Sequence, residues 1–548
     1  MVFKIKTVSL NSLIYIIAIP FFILTSCTKS KESINHISAK ESKPAYGDIL
    51  IDSSIGDANI LNPILLTDAS SADIAGLVFN GLVKYDKDIK ITGDLAKSWK
   101  ISDKGLVIVF YLREGVKWHD GVEFTADDVK FTYDKLVDPS TKTPYSSSYT
   151  LIKKVEVLDK YTLRVTYKRP FAPALESWGM GILPKHLLDK VDINNTGFNR
   201  NPIGTGPYIF KKWKTAEKIA LEANNDYFEG RPYISKYIYR IIPDQSVQFL
   251  ELKSGGIDMM GLTPDIYKNQ ADTTWFNSRF NKYRYPAFSY TYLGYNLLNP
   301  LFKDKKVRIA ISHAINKKEI IDGVLQGFGV ECTGPFPPAS WAYNKEIEGY
   351  EYSPEKAKKL LENAGWKDDN GDGILEKNGK PFEFLLMTNQ GNKSREMCAT
   401  IIQQQLKRVG IKVKIRIIAW SAFISEYIDK KKFDAVILGW SLGRDPDCFD
   451  IWHSSKTEEK QYNFVSYKNP VLDKLLVEGR ETFDIEKRKA IYHKVHEILA
   501  GDVPYTFLYV PDSLVAIHNR IHGIKVEPIG ISYNFVKWYV PEHLQRYK

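Results

Sequence analysis

Two short runs hold the residues best suited to chemistry. The first is Gly439-Trp440-Ser441-Leu442-Gly443-Arg444-Asp445-Pro446-Asp447, directly behind an apolar strand expected over residues 433–440. A guanidinium such as that of Arg444 can receive a carboxylate through two parallel hydrogen bonds. A carboxylate such as Asp445 or Asp447 can receive an ammonium, which needs a partner because its burial alone is costly. The second run is Asp368-Asp369-Asn370-Gly371-Asp372-Gly373, whose spacing matches the start of a calcium loop. Its twelfth position is Gly379, where such a loop needs a bidentate Glu. A surface turn joining Trp366 to a strand at Phe382 is therefore the expectation. The ten histidines show no HExxH and no tight cluster, and the chain has no GxSxG and no phosphate-binding loop. His119, His453 and His496 are the weak remaining candidates for a metal or haem ligand. No catalytic set, no metal site and no cofactor is expected.

The cysteines are Cys27, Cys332, Cys398 and Cys448, none in a CxxC. Cys398 shares an apolar helical stripe with Ile402, Leu406 and Val409, which reads as burial. Cys27 is different. Lys4 and Lys6 precede an apolar run over residues 13–24, short for a bilayer span and suited to a signal peptide. The run ends in Leu24-Thr25-Ser26-Cys27, which resembles a bacterial lipobox, so lipidation at Cys27 is expected after removal of residues 1–26. Residues 27–45 then read as a flexible tether, rich in Ser, Lys and Glu.

At 548 residues the chain needs more than one domain. Its net charge of +11 is dispersed among carboxylates, as in Lys84-Tyr85-Asp86-Lys87-Asp88, and gives no clustered footprint for nucleic acid. Aromatic residues make up 13%, enough for a large recognition surface or for several ordinary cores.

The elements that must position these residues fall into two styles. A first strand is expected at residues 47–52 and a helix from Ser71 to Leu82. Residues 95–168 are β-rich, with Val107 to Leu112 as a buried run and a hairpin about Asp159-Lys160. Thr125 is placed to cap a helix. From residue 304 to 440 the pattern alternates helix and strand, with Ser353-Pro354 opening one helix and Gly365 closing it. A second helix spans 394–409, and strands follow at 411–417 and 433–440. That order implies a largely parallel sheet covered by helices, with a ligand crevice beyond the carboxyl ends of its strands. Gly439-Trp440 marks that end.

Taken in order, the motifs resemble the bacterial extracellular solute-binding proteins of family 5, the binding proteins of dipeptide, oligopeptide and nickel importers. The resemblance is carried by Leu95-Ala96-Lys97-Ser98-Trp99, by Leu112 to Gly121 (LREGVKWHDG), by Phe124-Thr125-Ala126-Asp127-Asp128-Val129 and by Asn201 to Tyr208 (NPIGTGPY). Phe302 to Arg308, Tyr352 to Ala357 and Phe433-Asp434 leading into Gly439-Trp440 support it. It covers residues 47–540.

The resemblance implies an α/β, two-lobed, class II periplasmic-binding-protein-like fold with an inserted β-rich subdomain. One lobe would take residues 46–83, 201–290 and 511–548, the insertion 84–200, and the second lobe 291–510. It implies a ligand site at Asp68, Ala69, Trp420, Gly439, Trp440, Ser441, Asp445 and Tyr509. Family members that bind peptides place an aspartate three residues after the tryptophan, to pair with the ligand ammonium. Here that position is Gly443, so either Asp445 or Asp447 replaces it or the ligand lacks a free amino terminus. The function implied is capture of di- or oligopeptides outside the cytoplasm and delivery to ABC-transporter permeases with their ATPases. The protein would be a monomer held by lipid in the periplasm or at the cell surface, without nucleic acid and without enzymatic activity. A non-peptide solute such as a sugar or metal complex, a sensor without transport, and a carboxylate-dependent hydrolase are the alternatives.

Overall fold

The computed structural model describes residues 43–547. The expected leader (1–26), the Cys27 lipidation site and most of the expected tether lie outside the described residues. Among the described residues no helix is long and apolar enough to cross a membrane.

The fold is α/β and two-lobed, organised by three larger sheets. In the first, Gly47–Ser54 runs parallel to Ile234–Ile241, which continues antiparallel into Lys218–Ala223 and then Tyr208–Lys214. The second is an antiparallel meander in the order Ala96–Ser102, Val107–Leu112, Thr162–Tyr167, Ile152–Asp159. Its last two strands are the hairpin expected at Asp159-Lys160. The expected burial of the whole run from Val107 to Leu112 needs correction: Ile108, Phe110 and Leu112 are buried, but Tyr111 is 37% exposed. The helix Ala126–Val137, opened by a Thr125–Asp128 capping box, packs beside the Ile152–Asp159 strand. An antiparallel sheet tolerates water on its other face.

The third sheet holds the second lobe. Glu383–Asn389, Lys412–Ile418 and Ala435–Ser441 are mutually parallel, as the helix–strand alternation implies. Ser289–Tyr295 and Tyr505–His518 then add antiparallel strands, so the sheet is mixed rather than largely parallel. The helix Lys393–Lys407 buries Cys398, Ala399, Ile402 and Leu406 against it. The helix Pro354–Asn363 starts at its Ser353 cap, as the sequence indicates.

The helix expected from Ser71 to Leu82 is shorter, Ala69–Val78. Two glycines far away in sequence stop it. Gly206 N–H donates to the Val78 carbonyl at 2.8 Å, and a Cβ on Gly204 would stand 1.9 Å from that same oxygen. Phe79 is extended in consequence.

The 14-residue strand Tyr505–His518 belongs to both lobes. Its first half pairs with Ser289–Tyr295, and its second half with Phe280–Pro286 and Met259–Gly261. The chain therefore passes between the lobes twice, at residues 287–288 and near Val510-Pro511. At the far end of this strand a buried arginine ties distant segments together. Arg520 Nη2 and Nε hold Asp258 at 2.6 and 3.0 Å, while Nη1 bonds Asp48 on the first strand. Asp48 also accepts from the backbone N–H groups of Arg546 and Tyr547.

Nearby, Asp52 is half-buried and accepts from the Tyr237 hydroxyl at 2.7 Å. Burial pushes its carboxyl up to about 7, aided by Asp73 and Asp258. The folded state thus keeps a proton that the unfolded chain releases near pH 4, so this group's contribution to stability falls as pH rises from about 4 to 7. Asp52→Asn should gain about 2 kcal/mol on the parent protein between pH 5 and pH 8. Urea unfolding followed by tryptophan fluorescence checks this; a difference that stays flat with pH would show that Asp52 is ionised in the fold.

Candidate functional site

The parallel strands Glu383–Asn389 and Ala435–Ser441 share only the registered pairs Leu386↔Ala435 and Met387↔Val436. Beyond them Thr388 Oγ1 still donates to the Ile437 carbonyl at 3.0 Å, and a cavity of about 800 Å³ lies at the carboxyl ends of the strands. This is the crevice position general to such sheets. All eight site residues expected from the sequence line it: Asp68, Ala69, Trp420, Gly439, Trp440, Ser441, Asp445 and Tyr509.

Asp68 and Ala69 stand at the start of the helix Ala69–Val78, where Asp68 is the N-cap. Its carboxylate accepts from Ser71 N–H (3.1 Å), Ser71 Oγ (2.6 Å) and Asn59 Nδ2 (3.2 Å). A fourth donor comes from the other lobe: Trp420 Nε1 reaches Asp68 Oδ1 at 3.2 Å. The Trp420 ring lies on Gly56, where a Cβ would meet it at 2.6 Å. Asp68 is thus filled by protein donors and fastens the two walls together.

Trp440 faces the cavity from its strand while Nε1 donates to the Tyr505 hydroxyl at 3.3 Å. Its ring meets Tyr462 edge-on at 5.3 Å, and the Tyr462 hydroxyl donates to Tyr145 across the cavity at 2.8 Å. Aromatic side chains from both lobes therefore make one continuous wall. Both tryptophans pack on the core and line the cavity at once. Tyr509 is buried behind them, in register with Thr291.

Gly439 is required by its neighbours. A Cβ there would stand 2.9 Å from both Arg395 Nη2 and the Tyr290 carbonyl. Arg395 itself was missed in the sequence reading. It sits in the first turn of Lys393–Lys407, and Nη1 donates to Asn389 Oδ1 at 2.9 Å. Among the described residues no carboxylate pairs with it, and burial lowers its pKa. A signal existed: a cation in the first turn opposes the helix dipole, and such local conflicts mark functional sites.

The acidic run after Trp440 departs from expectation. Asp445 lines the cavity, yet Arg488 grips it through Nη1 (2.5 Å) and Nη2 (2.7 Å). Asp447 is held by Arg480 Nε at 2.8 Å. Both carboxylates are neutralised by buried arginines and neither is free for a ligand ammonium. Arg444 is also engaged: it donates to the Ile529 carbonyl at 3.1 Å and lies over Phe288.

The remaining candidates are local structure. Asp368 caps Gly371 and Gly373 N–H groups at 2.7 and 3.0 Å, while Asn370 bonds Glu376, which makes the segment a surface turn. The three carboxylates of Asp368, Asp372 and Glu376 come close together there without a further ligand-directed feature. His119 bridges Gly204 and Gly206, His496 is buried beside Thr333 and Asn344, and His453 stacks on Phe449. Cys332, Cys398 and Cys448 are buried thiols.

Comparison with known proteins follows the same line. The family model described as "Bacterial extracellular solute-binding proteins, family 5 Middle" matches residues 90–462. The oligopeptide-binding protein AppA of Bacillus subtilis is 40% identical over 531 residues, covering 94% of this chain and 96% of its own length. The structure of that protein in complex with a nonapeptide superposes with a TM-score of 0.87 at 40% identity, over 91% of this chain and all of the other. NikZ from Campylobacter jejuni, in complex with Ni(L-His), superposes with a TM-score of 0.81 at 32% identity, over 90% of this chain and 99% of the other. With motifs, fold and relatives in agreement along nearly the whole length, the chain belongs to the bacterial extracellular solute-binding proteins, family 5.

Proposed function

We propose that this protein is the extracytoplasmic receptor of an ABC importer. It captures peptides between its lobes and hands them to membrane permeases driven by their ATPases, with no covalent change to the ligand. The observation that carries the peptide reading is the main chain of residues 438–441. Past Val436 it runs along the cavity beyond its register with the Glu383–Asn389 strand, so its edge offers main-chain hydrogen bonds. Extended peptides are held through such an edge, with pockets for their side chains. The aromatic wall of Trp440, Tyr462 and Tyr145 supplies adaptable apolar contact. The relative bound to a nonapeptide points the same way.

In this reading the lobes are residues 46–83, 201–290 and 511–548 against 291–510, with 84–200 inserted, and they close about the passages at 287–288 and 510–511. Gly439, Trp440 and Ser441 contact the ligand backbone. Asp68 and Ala69 form the facing wall, and Trp420 fastens to it through Asp68. Tyr509 and Asp445 shape the cavity, Asp445 through its lock on Arg488. Arg395 receives a ligand carboxylate, since an unpaired guanidinium is suited to a two-point carboxylate contact. Cys27 carries the lipid that holds the receptor in the periplasm or at the cell surface.

Three outcomes are expected. First, protein starting after Cys27, stripped of ligand by denaturation and refolded, should melt at higher temperature with di- to octapeptides. A ligand at a hundredfold excess over Kd stabilises by about 2.7 kcal/mol. Shifts confined to sugars or Ni–histidine would replace the peptide reading. Second, Arg395→Gln should bind peptides with a free carboxylate at least about tenfold more weakly, a loss of about 1.4 kcal/mol, while C-amidated peptides bind as before. Equal weakening of both would leave Arg395 a purely structural role. Third, cells fed an alkyne fatty acid should label the full-length protein but not Cys27→Ser, and the variant should appear in the soluble fraction. Labelling that survives the substitution would move the anchor elsewhere.

A further inference from the structure

The cavity is lined by five carboxylates, and their commitments differ. Asp68 is filled by four protein donors, as described above. Asp445 is neutralised by Arg488 and Asp447 by Arg480. Asp512 takes Arg284 Nε at 2.6 Å. Asp429 alone among these has, among the described residues, no ion pair and no side-chain hydrogen bond.

Its position is set by local geometry. Phe423–Ile428 is a π-helical turn, and Asp429 closes it, with its N–H donating to the Ile424 carbonyl at 2.9 Å. Phe423, Ile424 and Ile428 are buried, so the turn is anchored and Asp429 is delivered to the cavity rim. π-Turns recur at functional sites because they reposition a side chain without breaking the helix.

The surroundings carry excess negative charge. Lys460 is the cation facing Asp429; its backbone N–H reaches the Asp429 carbonyl at 3.4 Å, and among the described residues its ammonium makes no ion pair. Asp68 and Glu459 add negative charge on the same side, while Lys430 is taken up by Glu426 at 2.7 Å. An unpaired, half-buried carboxylate beside two further acids is stabilised by an incoming cation. Burial pushes the carboxyl up to about 6, and Asp68 and Glu459 push in the same direction against Lys460.

We propose that Asp429 is the specificity residue that receives an alkylammonium group of the ligand, either an amino terminus or a lysine side chain. This rests on the peptide reading of the cavity and assigns the role that the sequence left between Asp445 and Asp447. It places the cation acceptor on the segment after Trp420 rather than on the loop after Trp440.

The test uses three random pentapeptide libraries offered to the refolded protein, with retained peptides quantified by mass spectrometry. The first has free amino termini and no lysine or arginine. The second is the same library N-acetylated. The third is N-acetylated with lysine allowed. The wild type should retain the first or the third at least tenfold better than the second; preference for the first assigns the amino terminus, and for the third the side chain. The preference should vanish in Asp429→Asn, persist in Asp429→Glu, and fade as pH falls through about 6, because protonation removes the negative charge. Equal retention of the second library, or a preference that survives Asp429→Asn, overturns the assignment while peptide binding stands. Retention of no library by folded wild-type protein overturns the peptide reading and this assignment with it.

Discussion

Everything at the cavity depends on where two parallel strands, in register at Leu386↔Ala435 and Met387↔Val436, reach their carboxyl ends. Three consecutive parallel strands reach their carboxyl ends on this edge. Asn389 leads into the helix that carries Arg395, Ile418 leads into Trp420, and Ser441 leads into Asp445. Parallel strands must all point the same way, so their carboxyl ends gather on one edge of the sheet, and each following loop reaches the same space. A single side chain controls how closely the walls approach: Gly439 leaves room for both the Arg395 guanidinium and the Tyr290 carbonyl. Rigid strands thus fix the back of the site, while the front is brought by the opposite lobe through Asp68 and Tyr145.

The electrostatics divide into charges that build the site and charges left over. Arg480 and Arg488 come from the helices Pro470–Glu481 and Ile485–Asp502 and meet the loop after Trp440. Buried acids there need partners, because an unpaired buried charge costs several kcal/mol. The pairing holds the loop's shape and removes it from ligand electrostatics. What remains is the Arg395 guanidinium on one side and the Asp429 carboxylate on another, neither with an oppositely charged partner among the described residues. Glu176 shows the same constraint at the seam: it is enclosed facing Asp445, and burial pushes its carboxyl up to about 7, with Asp445 adding to the shift.

Local rules were readable where the physics is local. The Thr125 and Ser353 caps, the hairpin at Asp159-Lys160 and the alternation at residues 412–418 form as their residue types direct. The early stop at Val78 was not readable, because Gly204 and Gly206 approach it from 126 and 128 residues further along. The exposure of Tyr111 depends on which face of a sheet a distant helix covers. The eight site residues that the family resemblance implies line one cavity. The partners of Asp445 and Asp447 lie more than thirty residues onward on helices whose polar faces look ordinary in sequence. Arg395 left one local trace, a cation in the first turn of a helix; Asp429 left none, because an unmade contact does not show in residue spacing.

The knot at Arg520 has a consequence in time as well as in space. Asp48 belongs to the first strand, and the donors that satisfy it come from Arg520, Arg546 and Tyr547, 472 to 499 residues later. Until those residues join, the buried Asp48 carboxylate lacks these donors, although Gly47–Ser54 can already pair with Ile234–Ile241. Assembly of this lobe therefore waits for the distal segment, which slows folding in the way that distant contacts generally do. The lock at Asp48 thus closes only once the last segment of the chain has met the first.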